Sequence, residues 1–248
     1  MTSSTPTTAA IIIIGAEVLS GKVRDENSPF LIQSLRERGI DLKEIRTIDD
    51  DPPTITQAVR ELSEQCTYVF TTGGIGPTHD DVTFQSVADA FSLPLALHPH
   101  LAQLFRERFP EPERQAAALR MAQIPEGASV QMAGFVPVVQ LHNVTLFPGV
   151  PSLLKTCFDS IADDLQGAPF FNESLFLNVS ESRIATHLAE VQQNFPEVTI
   201  GSYPQFETSD YRVKVTLDSR DARTLEQATE AVRSGMSPAW LVGPPANS

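Results

Sequence analysis

Six consecutive apolar residues, Ala9 to Ile14, run without interruption into Gly15. A strand that is apolar at every position has no side to give to water, so it reads as a central parallel strand covered on both faces. The flanking sequence supplies the covers. Ser28-Pro29 opens a helix, with Ser28 as N-cap and proline in the first turn; Phe30, Leu31, Ser34 and Leu35 form its apolar face and Gly39 ends it. Leu42 to Ile48 alternates like a strand, and Ile55, Ala58, Val59, Leu62 and Cys66 recur at helical spacing, which predicts a helix over Pro52 to Gln65. Tyr68-Val69-Phe70, ending in Thr71-Thr72, is a short buried strand before a run of glycines. This βαβαβα order predicts an α/β fold of three layers, α/β/α, around a mostly parallel sheet.

In such sheets ligands bind beyond the carboxyl ends of the strands. That rule gathers three loops into one place: Gly15 to Gly21, Asp49 to Asp51, and Gly73 to Asp81. The last reads GGIGPTHDD. Glycines admit positive φ and leave no Cβ between backbone and ligand, and a strand–glycine turn–helix sequence is how α/β proteins aim backbone N–H groups at an anion. Asp80 and Asp81 follow where a phosphate would lie, an arrangement that makes sense with a divalent cation between the anions or with a proton to move. The plainer alternative is that Asp80 or Asp81 caps the helix starting near Val82 and that the glycines form an ordinary tight turn. Neither a Walker loop nor the dinucleotide-binding glycine fingerprint is present. Glu17 and Asp50 would be solvated loop acids anywhere else, and Ser20 has no histidine at a spacing that would make it a nucleophile.

The remainder of the first domain, residues 1–168, reads as two helices broken by Pro110 and Pro112, a turn at Gln123 to Gly127, a strand pair around His142-Asn143, and a helix from Ser152. Pro148-Gly149 again follows a strand. His98-Pro99-His100 suggests a metal pair, but the proline favours a loop-to-helix entry. Gln166 to Pro169 reads as a linker. Residues 169–248 read as βαββα with an optional last strand at Trp240 to Val242, a small α+β domain of ferredoxin-like type. The formal net charge of −13 argues against nucleic acid and anionic membranes as partners. A phosphate ligand would therefore need local amides or a metal. Cys66 and Cys157 fall on apolar helical phases and read as reduced core thiols of a cytoplasmic protein, with no membrane span or leader evident.

TTGGIGPTHDDVT (Thr71 to Thr83) resembles the signature of the molybdopterin-binding, MoaB/Mog-type domain family. Ile14 to Gly21, Leu146 to Pro151 and Ile200 to Pro204 match as well, the later stretches resembling the CinA and eukaryotic FAD synthase branch, and the resemblance runs from Ala10 to Gly235. It implies a metal-dependent nucleotide pyrophosphatase that hydrolyses FAD or ADP-ribose to AMP and the other monophosphate. Gly15, Ser20, Gly21, Gly73, Gly74, Gly76, Pro77, Thr78 and Gly149 would bind nucleotide and phosphate; Asp81, Asp50 and Glu17 would be catalytic, with Asp81 and Asp50 holding the metal. The implied metal is divalent, Mg, Mn or Co, with K as a further cation, and the implied assembly is a homo-oligomer. Two alternatives stay open: a molybdopterin adenylyltransferase, and a nucleotide- or pterin-binding module whose catalysis has lapsed. Relatives carry Gly-Asp-Glu where this chain carries Gly15-Ala16-Glu17, one carboxylate fewer.

Overall fold

The computed structural model describes residues 6–206 and 210–245. In chain order the first part holds β1 (Thr8–Ile14), α1 (Ala16–Leu19), α2 (Asn27–Glu37), β2 (Asp41–Ile48), α3 (Pro52–Gln65), β3 (Tyr68–Thr72) and α4 (Thr83–Ala90). There follow β4 (Leu95–Leu97), α5 (Pro99–Arg108), α6 (Pro112–Arg120), β5 (Gln123–Pro125), β6 (Ser129–Ala133), β7 (Val136–Leu141), β8 (Val144–Phe147) and α7 (Pro151–Ile161). The main sheet has the order β2-β1-β3-β8-β7-β6. β1 pairs in parallel with β2 and β3, and β3 in parallel with β8; β7 and β6 then continue antiparallel. From β1 the chain goes first to one side, to β2, and then to the other, to β3. The carboxyl ends of β1 and β3 therefore form the crevice where the order reverses.

β1 is buried on both faces for the reason its composition demands. Ala9, Ile11 and Ile13 pack with Leu31 and Leu35 of α2 and Leu154, Cys157 and Phe158 of α7. Ala10, Ile12 and Ile14 pack on the opposite face with Ile55, Val59 and Leu62 of α3, Val87 of α4 and Leu101 and Phe105 of α5. Full burial of an isoleucine contributes roughly 1.5–3 kcal/mol, so the four in β1 are a large share of what fixes this strand at the centre. Both cysteines are free and buried. Burial pushes the Cys157 thiol up to about 11, and mainly burial raises that of Cys66 as well.

Three local expectations are corrected. The helix expected to follow Ser28 as N-cap begins two residues earlier, after Glu26, and Ser28 is not its cap. Asp25 takes that role, its Oδ1 accepting the N–H groups of Asn27 (2.9 Å) and Ser28 (3.0 Å), while the Ser28 hydroxyl is buried without a partner among the described residues. Second, neither Asp80 nor Asp81 caps α4. That helix starts after Val82 with no side-chain cap, and its Thr83 N–H goes instead to the Gly74 carbonyl at 2.9 Å. Third, Gln123 to Pro125, expected as a turn, is a strand paired antiparallel with β4. His98 caps α5 through its ring, as the loop-to-helix reading expected.

A second compact unit runs from Ala168. It holds β9 (Phe171–Leu177), α8 (Glu181–Asn194), β10 (Thr199–Pro204), β11 (Val213–Ser219), α9 (Ala222–Ser234) and β12 (Leu241–Val242). Its antiparallel sheet has the order β10-β11-β9-β12, with both helices packed on one core that includes Leu177, Ile184, Val191, Val215 and Ala228. That is the ferredoxin-like arrangement, with the short last strand in place beside the first.

Candidate ligand site at the carboxyl edge of the sheet

The glycine loop after β3 takes its shape from contacts that only glycine allows. Gly73 has φ +99° and passes so close to β1 that a Cβ there would lie 2.2 Å from the Ile14 carbonyl oxygen. Its N–H bonds to Phe147 O at 3.1 Å, which ties the loop to the end of β8. Gly74, at φ +65°, leaves room for the Thr83 hydroxyl, which donates to Gly73 O at 2.9 Å. Gly149 approaches from the β8–α7 loop, where a Cβ would lie 3.4 Å from Gly73 Cα. Asn27, 7% exposed, binds the two loops together: its side-chain amide donates to Thr72 Oγ1 and to Gly149 O, both at 2.8 Å.

Asp81 closes the loop from inside. Its Oδ1 accepts the Gly76 N–H at 2.6 Å and its Oδ2 accepts the Thr78 N–H at 2.7 Å and the Thr78 hydroxyl. The carboxylate thus takes the donors of Gly76 and Thr78 that the sequence reading had offered to a phosphate. The amides of Gly74 and Ile75, both residues lining the cavity, have no partner among the described residues. Asp80 accepts neither amide; it shares the single Thr78 hydroxyl proton with Asp81, and chiefly that contact holds its carboxyl below the usual range.

Asp50 lies across the crevice, where its Oδ2 accepts the Ala16 N–H at 2.9 Å. Burial is the main cause that pushes its carboxyl above the ordinary value; the Ala16 bond opposes this, and the nearby charges of Glu17, Asp49 and Asp80 add to it. A set of carboxylates crowding one another is the donor chemistry that a divalent cation relieves. Among the described residues no group of three or more His, Cys, Asp or Glu side chains forms a cage for a metal. Asp50 and Glu17 therefore fit a cation shared with the phosphates of a ligand, which is how magnesium is usually held, and do not fit an all-protein cage.

A cavity of about 640 Å³ opens here, within the range of small-molecule sites. Glu17, Gly73, Gly74, Gly76, Asp81 and Gly149 line it. Gly15, Ser20, Gly21, Asp50, Pro77 and Thr78 do not. Gly15 is buried with its N–H on Ile48 O, the Ser20 hydroxyl donates to Glu17 O at 3.3 Å, and Gly21 makes the turn after α1 at φ +70°. His79 is exposed, 3.9 Å from Asp80. The sequence reading missed the aromatic wall: Phe84 of α4, Phe105 and Arg108 of α5, Phe109, Met121, and Phe135 in the β6–β7 turn. It also missed Asn27, whose partners are 45 and 122 residues away and leave no local pattern.

Comparison with known proteins agrees with this construction. Residues 10–167 match the family model described as probable molybdopterin binding domain, and residues 169–244 match the one described as FAD synthase, middle domain. A probable FAD synthase of Caenorhabditis briggsae is 30% identical over 256 residues, covering 91% of this chain and 49% of that protein. A protein of Archaeoglobus fulgidus is 31% identical over 222 residues, covering 89% of this chain and 94% of its own length. A CinA-like protein of Gloeobacter violaceus is 34% identical over 163 residues, covering 62% of this chain and 38% of its own. The chain spans about half the length of the Caenorhabditis protein. The crystal structure of CinA from Thermoplasma acidophilum shares the fold, with TM-score 0.60 and 24% identity over 65% of this chain and 99% of that one. The chain belongs to the molybdopterin-binding domain family, with CinA-like and FAD synthase relatives.

Proposed function

We propose that this chain is a divalent-metal-dependent nucleotide pyrophosphatase that hydrolyses FAD or ADP-ribose, releasing AMP and the other monophosphate. The observation that carries the reading is the pair of unpartnered amides, Gly74 and Ile75, on a cavity wall at the crevice where the strand order reverses. They are local donors for a phosphate on a chain whose net charge of −13 would otherwise repel it. Glu17, on the same cavity, and Asp50, across the crevice, supply the acids on the other side. A divalent cation held by Asp50 and Glu17 would neutralise charge on the bridging phosphates and favour attack by water. The residues of the chain do the rest. Gly74 and Ile75 orient the phosphate, Asp81 holds the loop in shape, and Asn27 fixes the Gly149 loop against it.

One feature favours a second reading, a nucleotide- or pterin-binding module without turnover. Ala16 sits with its N–H on Asp50, and the resembling family carries a further carboxylate there. The match of residues 169–244 to the middle domain of FAD synthase supports the pyrophosphatase over a molybdopterin adenylyltransferase. The test incubates the protein with FAD, ADP-ribose, NAD and ATP, each with Mg, Mn, Co or chelator, with and without K, and resolves products by chromatography. Release of AMP from FAD or ADP-ribose only with metal is the expected result. Nucleotide binding without AMP under every condition would establish the second reading.

A further inference from the structure

The aromatic wall of the cavity has a composition that phosphate binding does not explain. Phe135 is 57% exposed, a large apolar ring at the tip of a tight turn that begins at Gly134 with φ +62°. Phe135 shares the cavity lining with Phe84, Phe105, Phe109 and Met121, and a contiguous apolar surface of that kind marks a binding site where a lone exposed ring would not. The Arg108 guanidinium lies over the Phe135 ring, 4.5 Å from its centroid, and 5.9 Å from that of Phe109. Arg108 makes no ion pair with a carboxylate among the described residues. Phe84 and Phe105, 9% and 5% exposed, back the same wall.

We propose that this wall is the seat of a fused aromatic ring with carbonyl acceptors on its edge, of flavin type, carried by the phosphate ligand, and that Phe135 and Arg108 select it. The proposal rests on the nucleotide reading above and narrows it from the pair FAD and ADP-ribose to FAD held by its flavin half. Flat rings stack on phenylalanine faces. A guanidinium stacked on a ring still presents its N–H groups sideways; it has five donors and no acceptor. The isoalloxazine ring pairs an apolar dimethylbenzene edge with an acceptor-rich edge, matching phenylalanine on one count and arginine on the other. Adenine's N1 and N7 acceptors each sit beside its amino donor, so a guanidinium fork laid on either edge meets donor against donor, whereas the flavin carbonyl O4 and ring N5 accept side by side. No carboxylate, amide or hydroxyl side chain accompanies Arg108 on this wall among the described residues.

The experiment separates ring from phosphate. Riboflavin carries the ring without phosphate, inorganic pyrophosphate the phosphates without a ring, and adenosine the competing base. Affinities are measured by riboflavin fluorescence quenching and by calorimetry for wild type, Phe135→Ala and Arg108→Gln. Riboflavin is expected to bind more tightly than adenosine. Phe135→Ala should weaken riboflavin by about tenfold, the weight of one stacking contact. Arg108→Gln should narrow the riboflavin-to-adenosine preference, because glutamine offers an acceptor as well as a donor. Pyrophosphate affinity should not change in Phe135→Ala, which removes no charge from the cavity. Both positions are exposed, so circular dichroism and melting should match wild type. Riboflavin that fails to bind, or binds equally to all three proteins, overturns the proposal even where pyrophosphate binds. Pyrophosphate that fails to bind, while riboflavin binds and depends on Phe135, overturns the phosphate reading and leaves the ring seat standing.

Discussion

Asp81→Asn should loosen the glycine loop without unfolding the protein. The carboxylate accepts two backbone amides, Gly76 N–H at 2.6 Å and Thr78 N–H at 2.7 Å, on separate oxygens. Asparagine can offer only one oxygen. Whichever amide then faces the new NH₂ group meets donor against donor, and the other keeps a bond without its charge. A hydrogen bond to a charged group is worth about 1.5–3 kcal/mol. Thr78 is exposed and water can take over part of the loss, so the lower end, about 1.5 kcal/mol, is the expected cost, equivalent to a shift of roughly tenfold in local opening. Amide hydrogen exchange read by NMR should therefore speed up about tenfold at Gly76 and Thr78, with the core amides of β1 and β3 unchanged. Turnover should drop about a hundredfold, because Gly74 and Ile75 lose the frame that aims them. Asp80→Asn removes only a contact to the Thr78 hydroxyl and should leave both amides protected. Equal protection of Gly76 and Thr78 in the Asp81→Asn variant and the wild type would refute the assignment of Asp81 as the brace.

Gly73→Ala should lower stability by well over about 1 kcal/mol, since it combines φ +99° with a Cβ 2.2 Å from Ile14 O. Gly127→Ala, at φ +82° with nothing within 4 Å, carries the backbone strain alone, so melts of the two variants isolate the close approach; equal melts would remove it. Ala16→Asp places a carboxylate next to the amide that Asp50 accepts, so calorimetry should show weaker nucleotide binding in chelator but tighter metal binding and faster turnover with metal. Two unit charges ~4 Å apart interact by roughly 4 kcal/mol at an effective dielectric of about 20, which sets the scale of both opposite effects. The Asp221 carboxyl is held below its ordinary range, first by the Thr224 N–H that it accepts at the start of α9. Its contribution is thus complete above the unfolded carboxylate value and lost as pH falls through the lowered one, so acid melts of Asp221→Asn should fall less steeply than those of wild type.

The centre of the fold was legible because its signals are local and one-dimensional. The unbroken run Ala9 to Ile14 could only be a doubly covered strand, and Pro52 to Gln65 carried both its helical period and its proline start. The carboxyl-edge rule then brought Glu17, Gly73, Gly74, Gly76 and Asp81 to one cavity without any coordinates, and the family resemblance added Gly149. What failed was the orientation of short polar side chains. Ser28 reads as the cap in sequence, and only the packing of the α2 start buries it and hands the first amides to Asp25. Asp80 and Asp81 are adjacent and identical in type, yet one turns into the loop and the other out. The aromatic wall comes from three separate elements, α4, α5 and the β6–β7 turn, so no window of sequence contains it.

The central claim is that Asp50 and Glu17 serve metal-assisted cleavage of a pyrophosphate oriented by Gly74 and Ile75. Its most direct test is the initial rate of AMP formation from FAD against divalent metal concentration, measured side by side for wild type and Asp50→Asn, with folding of both checked by circular dichroism. The account predicts a rate for wild type that saturates with metal and vanishes in chelator, and a rate for Asp50→Asn lower by about a hundredfold or more, on the scale of removing one preorganised electrostatic group. AMP released equally fast by both proteins, or released in chelator, would contradict it.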